Sequence, residues 1–478
     1  MISINTNNNW LNEQAEKNGK YIFLEDDLTS LTYSEVKNRV NFLVDYFIKN
    51  GIHEGLKVAL VLSSRTDFIT SVLALWQIGA TPVPINLLWH VQQINEILES
   101  CKFEKIIADE NFGGLKKRPY NEFISLKNVI GSVDESKEIK FNLHSEALML
   151  FTSGSTGKPK GVLFSFNNLL QSALNVDEFV KHTYEDRWLA SLPFYHIGGF
   201  SIITRSLLSG CSIFVPSSHT TSDIVKSLRE KDITLASLVG TQLKKLIDNQ
   251  IVSPESLKYL FIGGGPVNDE FIKQAITLKY PLVKVYGSTE TSSMVTAVSI
   301  SEEPEKINSS GKRLGDVSIK ITGESNSEVK IKSGCVADFY FDNNETIPLK
   351  DEEGFYNSGD IGYIENDYLY ITDRAKRIII SGGENICAAE IENILLEHPG
   401  VKDVFVKPIP DAKWGEVPLA VIAFEIHSQA GLSDIIEFVE QKLPTYKQPK
   451  RYLILDDIPR NDLGKINNYE LDELLKRS

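Results

Sequence analysis

Residues Phe151 to Gly161 read FTSGSTGKPKG. Gly154, Gly157 and Gly161 free the backbone to turn its amides into one concavity. The hydroxyls of Thr152, Ser153, Ser155 and Thr156 add donors, and Lys158 and Lys160 add positive charge. Such a run suits a polyphosphate. It does not spell the NTPase loop G-x-x-x-x-G-K-[ST], because Thr152 stands where the first glycine belongs and Pro159 follows Lys158. Pro159 also forbids the helix that such a loop opens into. A Ser/Gly surface linker is the plain alternative for this stretch taken alone.

Five further stretches carry groups able to act with it. The apolar stretch Leu282 to Tyr286 runs into Gly287, Ser288, Thr289, Glu290 and Thr291. Magnesium on a nucleotide asks for one or two protein oxygens beside phosphate and water, which Glu290 with Thr289 or Thr156 can supply. The same letters also spell an N-capping box for a following helix. In FIGGGPV, Gly264 and Gly265 either let backbone approach a planar base or make a tight turn. Asp360 in NSGDIG suits the paired hydroxyls of a ribose, or is a turn residue. Arg374, in the charged run DRAKR, can reach that sugar or a phosphate, or remain an exposed charge. Lys465 follows Gly464 in PRNDLGKIN, a loop near the end of the chain, and is either a reactive cation or a surface lysine.

Strand and helix patterns alternate behind these loops. Val58 to Leu62, Asp67 to Gln77 and Thr81 to Ile85 read as strand, helix and strand. The alternation recurs through Ser212 to Val215, Ser222 to Glu230, Thr234 to Val239, a helix from Thr241, Tyr259 to Ile262, a helix from Asn268, and Leu282 to Tyr286. Such a pattern predicts parallel sheets covered on both faces, with the loops of interest at carboxyl ends of strands. Beyond about residue 310 short strands and acidic turns take over. After DRAKR come a helix over Ala388 to Glu397, strands at Val401 to Lys407 and Leu419 to Glu425, a helix over Ser433 to Leu443 and a strand at Arg451 to Leu455, enough for a small α+β domain.

With 478 residues, 42% of them hydrophobic, the chain calls for two or three domains. A formal net charge of -14 argues against a nucleic-acid partner. The basic run Lys116, Lys117, Arg118 reads as a solvated loop. The four cysteines form no C-x-x-C pair and the first residues lack a signal-peptide pattern, so a reducing cytoplasm is expected. No uncharged apolar stretch is long enough to span a membrane, and the eight histidines show no zinc-site spacing.

Taken in order, FTSGSTGKPKG, PFYHIGG, GGGPV, YGSTE, NSGD, DRAK, SGGENI and LGK resemble the adenylate-forming superfamily of acyl- and aryl-CoA ligases, luciferases and adenylation domains. The resemblance covers nearly the whole chain. It implies an α/β fold: a large N-terminal domain over 1–373 with parallel-rich sheets, flanking helices and a β-barrel-like subdomain, a hinge at 374–377 pivoting on Lys376, and a small mobile α+β lid over 378–478. It implies ATP, Mg²⁺ and coenzyme A with a small carboxylic acid, no membrane, and leaves a homodimer open. A carboxylate would attack the α-phosphate of ATP, and the acyl adenylate would then pass to a thiol.

Carried over by position, Thr152, Ser153, Gly154, Ser155, Thr156, Gly157 and Lys160 would hold the β- and γ-phosphates. Thr289 and Glu290 would meet the α-phosphate and the metal, with Thr156 as a second metal oxygen. Gly264, Gly265, Tyr286, Gly287 and Ser288 would line the nucleotide, and Asp360 and Arg374 would bind its ribose. Lys465 would bridge the substrate carboxylate and α-phosphate. Gly382 and Gly383 would line a pantetheine tunnel near Trp414, for which core packing is the alternative.

His196 in PFYHIGG stands where CoA ligases of the superfamily often carry a histidine beside the acyl pocket, and the aspartate of amino-acid-activating members is missing. LPFYHIGGFSIITRSLLSG followed by VYGSTETSSMVTAV looks like the o-succinylbenzoate–CoA ligase group of menaquinone biosynthesis. For such a dicarboxylic acid Arg205 would meet the second carboxylate, with Ser201 one turn earlier and Ser292 and Ser293 adding hydroxyls. A helix-end surface charge is the alternative for Arg205. Another aryl- or fatty-acyl-CoA ligase, or an enzyme loading a carrier protein, also fits. The chain departs from the superfamily pattern at ICAAEIE, DRAKR and GKRLGDVSI, all bearing on the lid.

Overall fold

A computed structural model describes residues 2, 4–89, 91–109, 123–126, 141–152, 159–265, 267, 269–323, 327–342, 344–381, 384–425, 428, 430–461 and 464–477. The chain forms two compact units: Met1–Ser318 with Ile331–Tyr356, and Ile319–Lys330 with Asn357–Ser478. It is the mixed α/β protein anticipated, a larger unit followed by a smaller one.

In the larger unit, strands Ile22–Glu25, Ser212–Phe214, Arg187–Leu189, Leu235–Leu238, Tyr259–Ile262 and Leu282–Ser288 pair in parallel in that spatial order. They are short and largely buried because helices cover both faces. Ser293–Ser299 then turns back antiparallel on Leu282–Ser288. A second parallel sheet orders Thr81–Pro84, Lys57–Val61, Lys105–Ala108 and Phe123–Ser125. Its crossover helix Arg65–Ile78 starts where Ser64 accepts the Asp67 amide and stops at Gly79, which sits at φ 78° as a left-handed cap. Every residue from Phe68 to Ile78 is buried, the polar Thr70, Ser71 and Gln77 included, so this helix is covered around its whole circumference and lies inside the unit.

A third sheet is antiparallel: Glu345–Pro348, Phe339–Asp342, Lys160–Ser165 and Glu146–Thr152. Met149, Leu163 and Phe341 pack from it into one core with Val61, Val83 and Ile106 of the second sheet.

The smaller unit contains, from Asn357 on, the strand pair Tyr356–Glu365 and Tyr368–Arg374, and a five-stranded sheet of Ile378–Ser381, Glu384–Cys387, Gly415–Phe424, Val401–Asp411 and Arg451–Leu455. Helices Ala388–Leu396 and Leu432–Lys442 cover one face through Ile391, Leu395, Ile435 and Val439. Leu471, from helix Asn468–Arg477, packs with Phe405, Leu419, Val421 and Ile458 in a separate core. The run DRAKR lies inside this unit. Asp373 is buried there, accepting the Cys387 thiol at 3.1 Å and the Ala389 amide at 3.1 Å, while Arg377 pairs with Glu392.

Candidate active site

Thr152 and Lys160 face each other across the antiparallel pair Glu146–Thr152 and Lys160–Ser165, and the Thr152 hydroxyl donates to the Lys160 carbonyl at 3.4 Å. Ser153, Gly154, Ser155, Thr156, Gly157 and Lys158 lie outside the described residues. The loop therefore does not sit at the carboxyl end of a parallel strand, as its position after an apolar strand had suggested. Parallel strands need a crossover of roughly a dozen residues or more, and the link from Thr152 to Lys160 is too short for one. Phe339–Asp342 extends this sheet beside Lys160–Ser165, with Tyr340 opposite Val162 and the Asp342 carboxylate 3.7 Å from the Lys160 ammonium.

Glu290 sits in the turn between Leu282–Ser288 and Ser293–Ser299. The capping-box alternative falls away, since a strand follows and not a helix. Thr291 locks the turn: buried, it accepts the Ser288 amide at 2.8 Å and donates to the Ser293 carbonyl at 2.9 Å. The Thr289 carbonyl accepts the Ser292 amide at 3.0 Å. A Cβ on Gly287 would lie 1.7 Å from the Ser293 carbonyl oxygen, so only glycine fits the close strand crossing. Ser292 and Ser293 occupy φ 52° and 91°, strained for residues with side chains. Tyr286 and Ser288 lie on the strand leading in, paired with Thr296 and Ser293.

One carboxylate oxygen of Glu290 accepts the Tyr340 phenol at 3.0 Å, a contact bridging 50 residues that no local pattern announces. Burial, and then the charge of Glu290, raise the Tyr340 phenol well above the usual range, so it remains a donor. Burial and the same charge raise Tyr356 as well. Strand Phe339–Asp342 thus ties strand Lys160–Ser165 and the turn at Glu290 into one framework.

Three of the residues expected beside the acyl group, His196, Ser201 and Arg205, lie at or on helix Ile197–Ser209. His196 stands just before it, half-buried, its ring edge-on to Tyr195 at 4.7 Å. Gly199 lets the first turn settle against the preceding loop, where a Cβ would meet the Pro193 carbonyl at 2.2 Å. Ser201 is buried and donates to the Gly198 carbonyl at 3.2 Å. Arg205 is only 2% exposed, and its Nε and Nη2 are buried without a hydrogen-bond partner. Desolvation pulls the guanidinium down to about 9. It is no helix-end surface charge. Leaving a charge buried and uncompensated typically costs about 3–5 kcal/mol, so the fold keeps this cation at a loss. The helix packs on strand Ser293–Ser299. The Ser292 hydroxyl donates to the Cys335 carbonyl at 2.6 Å and its own carbonyl accepts from Ser172, which ties Ser292 into the core on both sides. Of the glycines expected at the nucleotide, Gly264 adopts φ 86° and Gly265 faces open space.

In the smaller unit Asp360 and Arg374 are cross-strand partners, Nε to carboxylate 3.0 Å, with Asp360 buried and Arg374 exposed. Lys376 lies in the single turn Ala375–Arg377. Gly382 and Gly383 fall outside the described residues, between the paired strands Ile378–Ser381 and Glu384–Cys387. Trp414 is 43% exposed, which removes the core-packing alternative, and the Lys413 ammonium lies 4.5 Å from its ring. Lys465 follows Gly464, which turns at φ 73°.

The AMP-binding enzyme family matches residues 11–336, and the AMP-binding enzyme C-terminal domain matches residues 390–465. A 2-succinylbenzoate–CoA ligase of Bacillus cereus is 30% identical, with 98% of each chain covered. The o-succinylbenzoate CoA synthetase of Bacillus subtilis in complex with its acyl-adenylate intermediate is 28% identical and superposes with a TM-score of 0.88, covering 97% of this chain and 98% of that one. The same enzyme in complex with ATP and magnesium ion gives 28% and 0.88, covering 97% and 99%. In its motifs, its fold and both matched segments, this chain belongs to the family of AMP-binding enzymes.

Proposed function

We propose that this chain adenylates 2-succinylbenzoate with ATP and transfers the acyl group to coenzyme A, releasing AMP and pyrophosphate. A carboxylate is ionised at neutral pH and a poor electrophile, so it must first become a mixed anhydride with AMP. Thr152 and Lys160 frame the loop for the outer phosphates, Asp360 and Arg374 meet the ribose, and Lys465 brings charge to the carboxylate and α-phosphate as the new bond forms. A single carboxylate, oriented by a phenol, fits the oxygen-donor demand of Mg²⁺, which would neutralise the departing pyrophosphate. His196 borders the acyl group. Coenzyme A would enter along the glycine loop near Trp414. Among the described residues no helix is long and apolar enough to cross a membrane. A cytoplasmic location is part of the proposal, and a homodimer stays open.

The observation that carries the choice of acid is Arg205. A buried guanidinium with two N–H groups unmatched is a receptor for a carboxylate, and a dicarboxylic acid brings one to spare after the other is activated. The kinship with enzymes named for 2-succinylbenzoate supports the same choice. The test is pyrophosphate release over a panel of carboxylic acids with ATP, Mg²⁺ and coenzyme A. Turnover should be fastest with 2-succinylbenzoate, and Lys465→Ala should reduce it about 10²–10³-fold, the usual effect of removing a preorganised transition-state contact. Activity confined to monocarboxylic acids would overturn the choice of acid. Adenylation untouched in Lys465→Ala would overturn the role of that lysine.

A further inference from the structure

We propose that Arg460 is a positioning residue for adenylation, clamping the Lys465 loop to the sheet of the smaller unit through Asp403. This rests on Lys465 being the adenylating lysine. A lysine ammonium rides on a flexible four-carbon stem, so its arrival at a reacting carboxylate depends on how firmly the backbone beneath it is held. The loop closes on itself: the Asn461 amide donates to the Lys465 carbonyl at 2.7 Å, the Lys465 amide to Asn461 Oδ1 at 2.9 Å, and the Gly464 amide to the Asn461 carbonyl at 2.8 Å. Those bonds fix its shape, and the bridge from Arg460 to Ile466, with Ile466 packed on the core around Phe405, seats its base.

Arg460 ties it down. Its Nη1 donates to the Gly464 carbonyl at 2.7 Å, while Nε and Nη2 fork onto the Asp403 carboxylate at 3.0 and 2.8 Å. Asp403 belongs to strand Val401–Asp411, beside the buried Val404. One planar guanidinium therefore joins the residue before the catalytic lysine to a strand of the sheet, a geometry that an ammonium cannot reproduce. The two side chains remain 33% and 28% exposed, so the ion pair contributes little to global stability and its effect is local orientation.

The experiment separates the two half-reactions. Arg460→Ala, Arg460→Lys, Asp403→Asn and Lys465→Ala are compared in pyrophosphate release with 2-succinylbenzoate, and in thioester formation from preformed acyl adenylate and coenzyme A. Adenylation should fall about 10- to 100-fold in the first three, Arg460→Lys failing to rescue, while transfer from the adenylate stays within about twofold and the melting temperature shifts by less than about 3 °C. Arg460→Ala combined with Lys465→Ala should be no slower than Lys465→Ala alone. Wild-type adenylation in Arg460→Ala, or equal loss in both half-reactions, would overturn the proposal. If Arg460→Ala fails to fold, Arg460→Lys and Asp403→Asn decide by the same criteria. Should Lys465→Ala itself adenylate normally, the fault lies with the lysine and not with the clamp.

Discussion

Arg205 is a charge kept inside a buried helix, where burial pulls its guanidinium down to about 9. Replacing a buried, unmatched charge by an apolar side chain of similar length is often neutral or stabilising. Arg205→Met should therefore melt no lower than wild type without ligand in differential scanning calorimetry, yet lose about 10²-fold or more in kcat/KM for 2-succinylbenzoate, roughly 3 kcal/mol, with monocarboxylic acids unaffected. Equal loss for both acid classes would take Arg205 out of the pocket. Tyr340 gives a second test of the same kind. Partners that orient a metal ligand typically matter 10- to 100-fold for metal affinity. Tyr340→Phe should raise the Mg²⁺ concentration for half-maximal pyrophosphate release about tenfold or more and leave the KM for the acid unchanged; an unaltered Mg²⁺ titration would show that the phenol does not orient Glu290.

Two glycines separate a role in the fold from a role in binding at the level of elements. In Gly287→Ala the added carbon meets the Ser293 carbonyl of the neighbouring strand, so the turn must open: chemical denaturation should show a loss of about 3 kcal/mol or more, with adenylation falling because Glu290 moves with it. Gly265→Ala meets nothing within 4 Å. It should unfold like wild type while the KM for ATP rises severalfold, and an unchanged KM would leave Gly265 out of the nucleotide site. The alternation of apolar strands and helices was legible in the chain because buried parallel strands and periodic helices follow local rules, and Tyr259–Ile262 and Arg451–Leu455 fall where the pattern put them. The turn at Glu290 was not, because Ser and Thr side chains satisfy backbone amides alike at a helix start and in a hairpin. Nor were Tyr340 and the Arg460–Asp403 fork, which join residues distant in the chain. Arg205 did carry a signal in the sequence: it is the one charged residue within IGGFSIITRSLLS, where the other side chains are apolar or small hydroxyls and none offers a counter-charge.

At the scale of the whole molecule, the proposed domain alternation pivoting on Lys376 would let one lid serve two reactions. Proline fixes φ near -65°, so Lys376→Pro should restrict rotation there. Pyrophosphate release in a single turnover should continue, while thioester formation from the same adenylate should drop about tenfold or more, as for a gating residue; parallel loss of both would place the pivot elsewhere. The units are also threaded through one another in chain order, since Ile331–Tyr356 returns to the larger unit after Ile319–Lys330 has left for the smaller. On a ribosome the first unit emerges unfinished. Until residue 342 has been made, the edge of Lys160–Ser165 that Phe339–Asp342 will cover stays open. The nascent protein therefore passes through a stage in which strands Glu146–Thr152 and Lys160–Ser165 are already present, the hydroxyl that steadies Glu290 is not, and a naked strand edge invites neighbouring chains, a hazard that ends only when translation has gone well past the last parallel strand of the larger unit.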